Sequence, residues 1–317
     1  MSEFLASFRQ GFIRLSAPGK LFVLVIILLV FALFGSLLAM VIAIPAFNYS
    51  IFELSEILSD PNEGNITVIK FFQIFQAITL FVIPGLFAAW LFGEKPAQYI
   101  RVHKAPSLVN VMLVMFSIVT AIPFLNYVTE LNSRLDLPYW LDKVEEKMIN
   151  MEETAAELTE LFLVTKTTSD LIVNLIMIAI LPAIGEELIF RGLIQRLFSQ
   201  WFRNSHLAIL GTAFLFSFIH FQFFGFVPRF LLGLYFGYLL LWSGTLWLPV
   251  LAHLINNGLA VLYYHFAAGN QTDTIDKIGI SESSRYMLYV SIVLTVILVS
   301  VIYLREKENS SINSKLL

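Results

Sequence analysis

Eight stretches of the chain are almost continuously apolar. They lie near 21–47, 68–92, 107–125, 169–187 (continuing as helix beyond), 206–222, 227–243, 246–264 and 286–304. Runs of about 17–28 apolar residues suit helices that cross a ~30 Å hydrocarbon core at ~1.5 Å per residue. The pattern predicts an all-α, polytopic membrane protein of about eight transmembrane helices. It divides into an N-terminal region with three spans (1–125), an extramembrane loop (126–168), a central four-span region (169–264), and a last span with a polar tail (265–317). The first run is too long for a signal-peptide core and is expected to be retained as a span.

The 126–168 segment has a different periodicity. Val144, Met148, Met151, Ala155, Leu158 and Phe162 step by threes and fours, with glutamates filling the other faces. That is the stripe of an amphipathic helix. Such a helix either packs its stripe on the bundle or covers a cavity as a lid, and the stripe is compatible with both.

Composition agrees with the pattern. The chain of 317 residues is 58% hydrophobic and 14% charged, against roughly 45–50% and about 25% in soluble domains. A net charge of −3 argues against nucleic acid as a partner. With no cysteine, disulfides, thiol catalysis and Cys-ligated zinc are excluded. Arg9, Arg14, Lys20, Lys95, Arg101, Lys104, Arg191, Arg196, Arg203, Arg305, Lys307 and Lys315 fall in alternate connections. The positive-inside rule then predicts both termini inside. The 126–168 loop, with nine carboxylates against four bases, lies outside on this reading.

Ionisable groups at membrane depth cost about 2.5–3.5 kcal/mol each on insertion scales, so they usually face a cavity or a partner. Glu186, Glu187, His220, His253 and Asn257 are the positions of interest. Glu187 and Arg191 are four apart and predict an ion pair along one helix face, leaving Glu186, rotated about 100° away, for chemistry. His253 and Asn257 share the same spacing, as do Phe216 and His220. A turn at Arg203-Asn204-Ser205 places Glu187 and His220 at similar depth, 17 and 16 residues from Asn204. His253, nine residues past a turn at Gly244, comes level if the first hairpin extends further inward. Singly, a membrane histidine, a Glu–Arg pair or an asparagine is usually structural; four polar groups at one depth predict a site. His103, His206 and His265 are assigned to loops, turns and interfaces.

No HExxH, no cysteine and no GxSxG elbow is present. A carboxylate and an imidazole able to polarise water, with further donors for an oxyanion, form a hydrolase constellation. Three motifs then carry a resemblance. Glu186-Glu187-Leu-Ile-Phe-Arg191, Phe216-Ser-Phe-Ile-His220 and His253-Leu-Ile-Asn-Asn257 resemble, in order and interval, the EExxxR, FxxxH and HxxxN motifs of the type II CAAX prenyl protease and bacteriocin-processing (CPBP) intramembrane protease family. Gly192 after the arginine is also common there. The resemblance spans roughly 169–264.

It implies an eight-helix membrane endopeptidase with its site among spans four to seven. Glu186 would activate water with help from His220, His253 and Asn257 would stabilise the oxyanion, and Glu187 and Arg191 would order the site. The family's metal dependence is disputed. Glu186, His220 and His253 could supply three zinc ligands; a metal-free site is favoured because the sequence shows no partner orienting the imidazoles. The expected partners are the bilayer and a peptide or protein substrate at the membrane, with nothing that reads a prenyl group specifically. The expected location is a bacterial inner membrane. Competing readings are a non-catalytic scaffold or immunity protein and a proton-relaying transporter, the latter disfavoured by the lack of repeat symmetry.

Overall fold

The computed structural model describes residues 2–135, 137–163, 167–267 and 277–315, and among these every regular element is helical. The elements are α1 (Ser2–Ile13), α2 (Ala17–Phe47), α3 (Ile51–Ser59), α4 (Ile66–Phe92), α5 (Pro96–Tyr99), α6 (Leu108–Ser133), α7 (Asp142–Leu163), α8 (Thr168–Phe202), α9 (Ser205–Phe218), α10 (Phe226–Ser243), α11 (Trp247–Ala267) and α12 (Arg285–Lys315). Short 3₁₀ turns at Tyr139–Leu141 and Glu282–Ser284 complete them.

Six segments are long and apolar enough to cross a membrane: α2, α4, α6, α8, α10 and Glu282–Glu308. The other two expected spans depart from that standard for physical reasons. The run at 206–222 yields only the 14-residue α9, about 21 Å at ~1.5 Å per residue. The run at 246–264 yields a 21-residue helix, but His253, Asn256, Asn257 and His265 dilute its apolar character. The first of these helices carries Phe216 and the second carries His253 and Asn257.

Two compact units divide the chain, Met1–His103 with Glu157–Ala208 and Lys104–Ala156 with Ile209–Leu317. In the first, α2 turns Gly35, Ala39 and Ala43 inward while Phe22, Leu29, Leu33 and Phe34 stay more than 60% exposed. Small residues four apart let helices approach where lipid supplies no hydrophobic drive between them. Gly35 lies so close to Thr79 of α4 that a Cβ would collide with it. In the second unit α6, α10, α11 and α12 surround a core of Val114, Ile118, Phe236, Leu239, Leu248, Ala252 and Ile302. Asn110 and Glu306 hydrogen-bond within it, and Ser291 Oγ donates to the Thr120 carbonyl at 2.5 Å.

Three stretches widen from α to π geometry: Ile78–Val82 in α4, and Leu175–Ile180 and Leu188–Ile194 in α8. The first two end just before Pro84 and Pro182. A proline crowds the preceding turn and offers no N–H, and a π turn relieves both problems. The third has no proline behind it and contains Arg191.

The expected loop at 126–168 begins as helix, because α6 continues to Ser133. The amphipathic stripe is realised in α7. Leu158 and Phe162 pack with Ile69 and Met177, whereas Val144 and Met151 remain 47% and 39% exposed.

Candidate active site

The EExxxR segment sits where α8 changes from α to π. Gly185 puts backbone against Phe81, and a Cβ there would meet the Phe81 Cβ at 2.7 Å. Gly85 of α4 does the same against Leu188. The motif is therefore clamped by close helix contact on both sides of the glutamates. Gly192 is different, since a Cβ there would find Ile100 at an ordinary 3.5 Å.

Glu187 and Arg191 form the expected pair, Nη1 donating to Oε1 at 2.9 Å, with both side chains fully enclosed. Breaking such a pair strands a charge and costs several kcal/mol. Glu186 is half-buried on a neighbouring face, and its charge also acts on Arg191. The two adjacent glutamates thus occupy different environments, one sealed and one accessible. Arg203, in left-handed conformation at φ 53°, closes α8, and Asn204 Oδ1 caps α9 by accepting from the His206 and Leu207 amides. The turn expected at Arg203-Asn204-Ser205 is therefore present.

In the second unit Phe216 lies against two imidazoles. Its ring is 5.1 Å from His220 and 6.0 Å from His253, both edge-on. His253 is 4% exposed and stacks on Phe236 at 5.4 Å. The 216/220 pair is not helical at its far end, since α9 stops at Phe218 and His220 lies in the following turn. That early stop creates a contact absent from a continuing helix: His220 Nδ1 stands 2.7 Å from the Phe216 carbonyl. A carbonyl only accepts, so Nδ1 carries a proton in this contact. The orienting partner that the sequence did not show is this backbone oxygen, which removes the stated ground for preferring a metal-free site. Among the described residues no group of three or more His, Cys, Asp or Glu side chains is placed to hold a metal ion.

Several residues that hold these groups escaped the sequence reading. Asn132, 3% exposed at the end of α6, donates Nδ2 to the Phe223 carbonyl at 2.7 Å and accepts from the Val227 amide at 3.2 Å. Glu152 of α7 accepts from the Phe224 amide, and Ser217 Oγ donates to the Phe226 carbonyl at 2.6 Å. Together they pin the 219–225 turn that carries His220. On α11, Asn256 Nδ2 donates to Asn257 Oδ1 at 3.1 Å. Asn256 also borders an apolar cavity of about 440 Å³ with Ile118, Ile122, Asn126, Leu259 and Tyr263. An asparagine beside the motif asparagine was the available signal; Asn132 had none.

His103 and His206 are exposed, and His265 packs edge-on to Phe266 near the end of α11. None of the three adjoins a motif residue in sequence.

Residues 168–259 match the family model described as type II CAAX prenyl endopeptidase Rce1-like. No curated protein and no solved structure matches the chain. The matched segment coincides with the span that contains all three motifs.

Proposed function

We propose, from the match of residues 168–259 to the Rce1-like CAAX prenyl endopeptidase family model, that the chain is an intramembrane protease of that kind, an endopeptidase acting on a membrane-associated peptide or protein. Glu186 takes a proton from water while the water oxygen bonds to the scissile carbonyl carbon. His220, through Nε2, holds and orients that water. Donors from His253 and Asn257 stabilise the resulting oxyanion. As the C–N bond breaks, the proton held on Glu186 passes to the leaving amine, and atoms and charge balance. Glu187 and Arg191 keep the helix turn in place and touch no reacting atom.

The observation that carries this reading is the state of His220, held in the Nδ1–H form by the Phe216 carbonyl. With Nδ1 committed to the backbone, the water contact is assigned to Nε2. The contrast between enclosed Glu187 and half-buried Glu186 supports the division of labour between the two glutamates. The apolar cavity beside Asn256 suits a hydrophobic segment of substrate. A bacterial inner-membrane location with both termini inside accompanies the proposal.

The test is cleavage of a membrane-anchored fluorogenic peptide by the purified full chain and by His220→Ala, with zinc content measured on the same preparations. The wild type is expected to cleave, the variant to lose about 10²–10⁴-fold in rate, and an added chelator to leave the wild-type rate unchanged. Stoichiometric zinc lost in the variant would replace this mechanism with a metal-dependent one. A variant as active as wild type would remove His220 from the chemistry. A wild type that binds but never cleaves would support the scaffold reading.

A further inference from the structure

Three cations gather at one end of the first unit, outside the motif region. Lys20 lies in the first turn of α2, Arg101 follows α5, and Arg196 lies in the last turns of α8. The start of α2, the end of α4 and the end of α8 thereby lie at one end of the unit. Tyr99 is the centre of the group. The Arg196 guanidinium stacks 4.2 Å from its ring centroid and donates Nη1 to its carbonyl at 2.9 Å. Lys20 Nζ lies 5.7 Å from the same ring, 5.9 Å from Phe92, and 3.4 Å from the Phe92 carbonyl.

The arrangement is electrostatically one-sided. Lys20 and Arg196 repel each other, as do Arg101 and Arg196. Burial, and then the Arg196 charge, push the Arg101 guanidinium below its usual range. Burial raises the Tyr99 hydroxyl, with Arg196 opposing. Among the described residues neither Lys20 nor Arg196 pairs with a carboxylate, and the buried Arg196 Nε meets no acceptor. Two like charges such as Lys20 and Arg196, held together in a poorly hydrated place without a carboxylate between them, are unfavourable unless an anion joins them. Close by, Arg9 of α1 donates to the carbonyls of Trp90, Gly93 and Glu94, while Leu5 and Phe8 of the same helix stay about half exposed. That exposure suits a helix lying in the bilayer interface.

We infer that the Lys20–Tyr99–Arg196 cluster, with Arg101, is a binding site for the phosphate of an anionic glycerophospholipid headgroup. Arginine and lysine presented beside an aromatic ring at the membrane boundary match a phosphodiester, with its acyl chains along the exposed apolar face of α2. A soluble phosphate shares the headgroup chemistry but lacks that second contact.

The experiment uses the full chain in mixed micelles of phosphatidylglycerol and phosphatidylcholine, with retained lipid counted by native mass spectrometry. Wild type should retain phosphatidylglycerol in preference to phosphatidylcholine. Lys20→Gln and Arg196→Gln should each weaken that retention by about fivefold. Arg203→Gln removes an exposed charge and should leave retention unchanged. Equal loss in Arg203→Gln would reduce the effect to bulk charge and overturn the site. Equal retention of the two lipids would overturn it as well. Displacement of phosphatidylglycerol by millimolar inorganic phosphate would make it a soluble-anion site instead. Should Arg196→Gln fail to fold, Lys20→Gln and the phosphate competition decide the matter.

Discussion

The motif residues of the first unit and those of the second solve the same problem by opposite means. Around Glu187 and Arg191, full charges are placed in a dry interior and made tolerable by sealing them against each other at 2.9 Å. Around His220, His253 and Asn257, the polar groups are aromatic neighbours of one phenylalanine or are tied to a carbonyl or a second amide. The first arrangement gives rigidity at a high penalty for disruption. The second holds imidazoles and an amide by ring contacts and neutral hydrogen bonds, which suits groups that must change partners during a reaction.

The sharpest way to break the comparison is to open the sealed pair. Arg191→Ala should destabilise the fold by about 3–5 kcal/mol, because Glu187 keeps a buried charge without its counter-ion. Denaturant unfolding in detergent measures this, and stability equal to wild type would show that the pair carries no such burden. Next in size is the helix contact that frames the pair. Gly185→Ala should cost about 1–3 kcal/mol through collision with Phe81, while Gly192→Ala, with room for its methyl, should stay near zero. Thermal unfolding of the two variants side by side separates them, and equal effects would deny that Gly185 marks a close approach.

On the weaker-contact side the expected effects are smaller. Asn132→Ala removes two hydrogen bonds from the 219–225 turn and should cost about 1–3 kcal/mol. Faster amide hydrogen exchange at 219–225, with no change near Glu187, is the matching signature. Asn256→Ala should lower kcat about tenfold with KM and unfolding midpoint nearly unchanged, since it releases one neutral hydrogen bond that orients Asn257. A change in KM alone would reassign Asn256 to the cavity wall.

Particular residues show what could be read in advance. The Glu187–Arg191 pair followed from a spacing of four, because helix geometry alone brings such residues together. Turns at Arg203-Asn204-Ser205 and Gly244 were expected at the ends of apolar runs; that Arg203 and Gly244 close their helices in left-handed conformation was not. The first two π turns had a visible cause in Pro84 and Pro182, yet their geometry was not anticipated. The third, holding Arg191, has no local sequence signal. The end of α9 at Phe218 was missed because the apolar run continues to 222, and hydropathy does not register a turn pinned from outside by Asn132 and Glu152. The protonation state of His220 depends on that termination, so it was beyond the reach of periodicity. Two of the expected spans fall below the length or hydropathy of the other six, one because its helix is short and the other because polar side chains interrupt its apolar run.

Adjacent glutamates with opposite duties are the central claim, and Glu186→Gln tests it with the least disturbance. Peptide cleavage and unfolding midpoint are measured on the same preparation. The account expects cleavage to fall by about 10²–10⁴-fold while the midpoint stays that of the wild type, since the Glu187–Arg191 pair is intact. Cleavage at the wild-type rate, or an unfolding loss as large as that of Arg191→Ala, would contradict it.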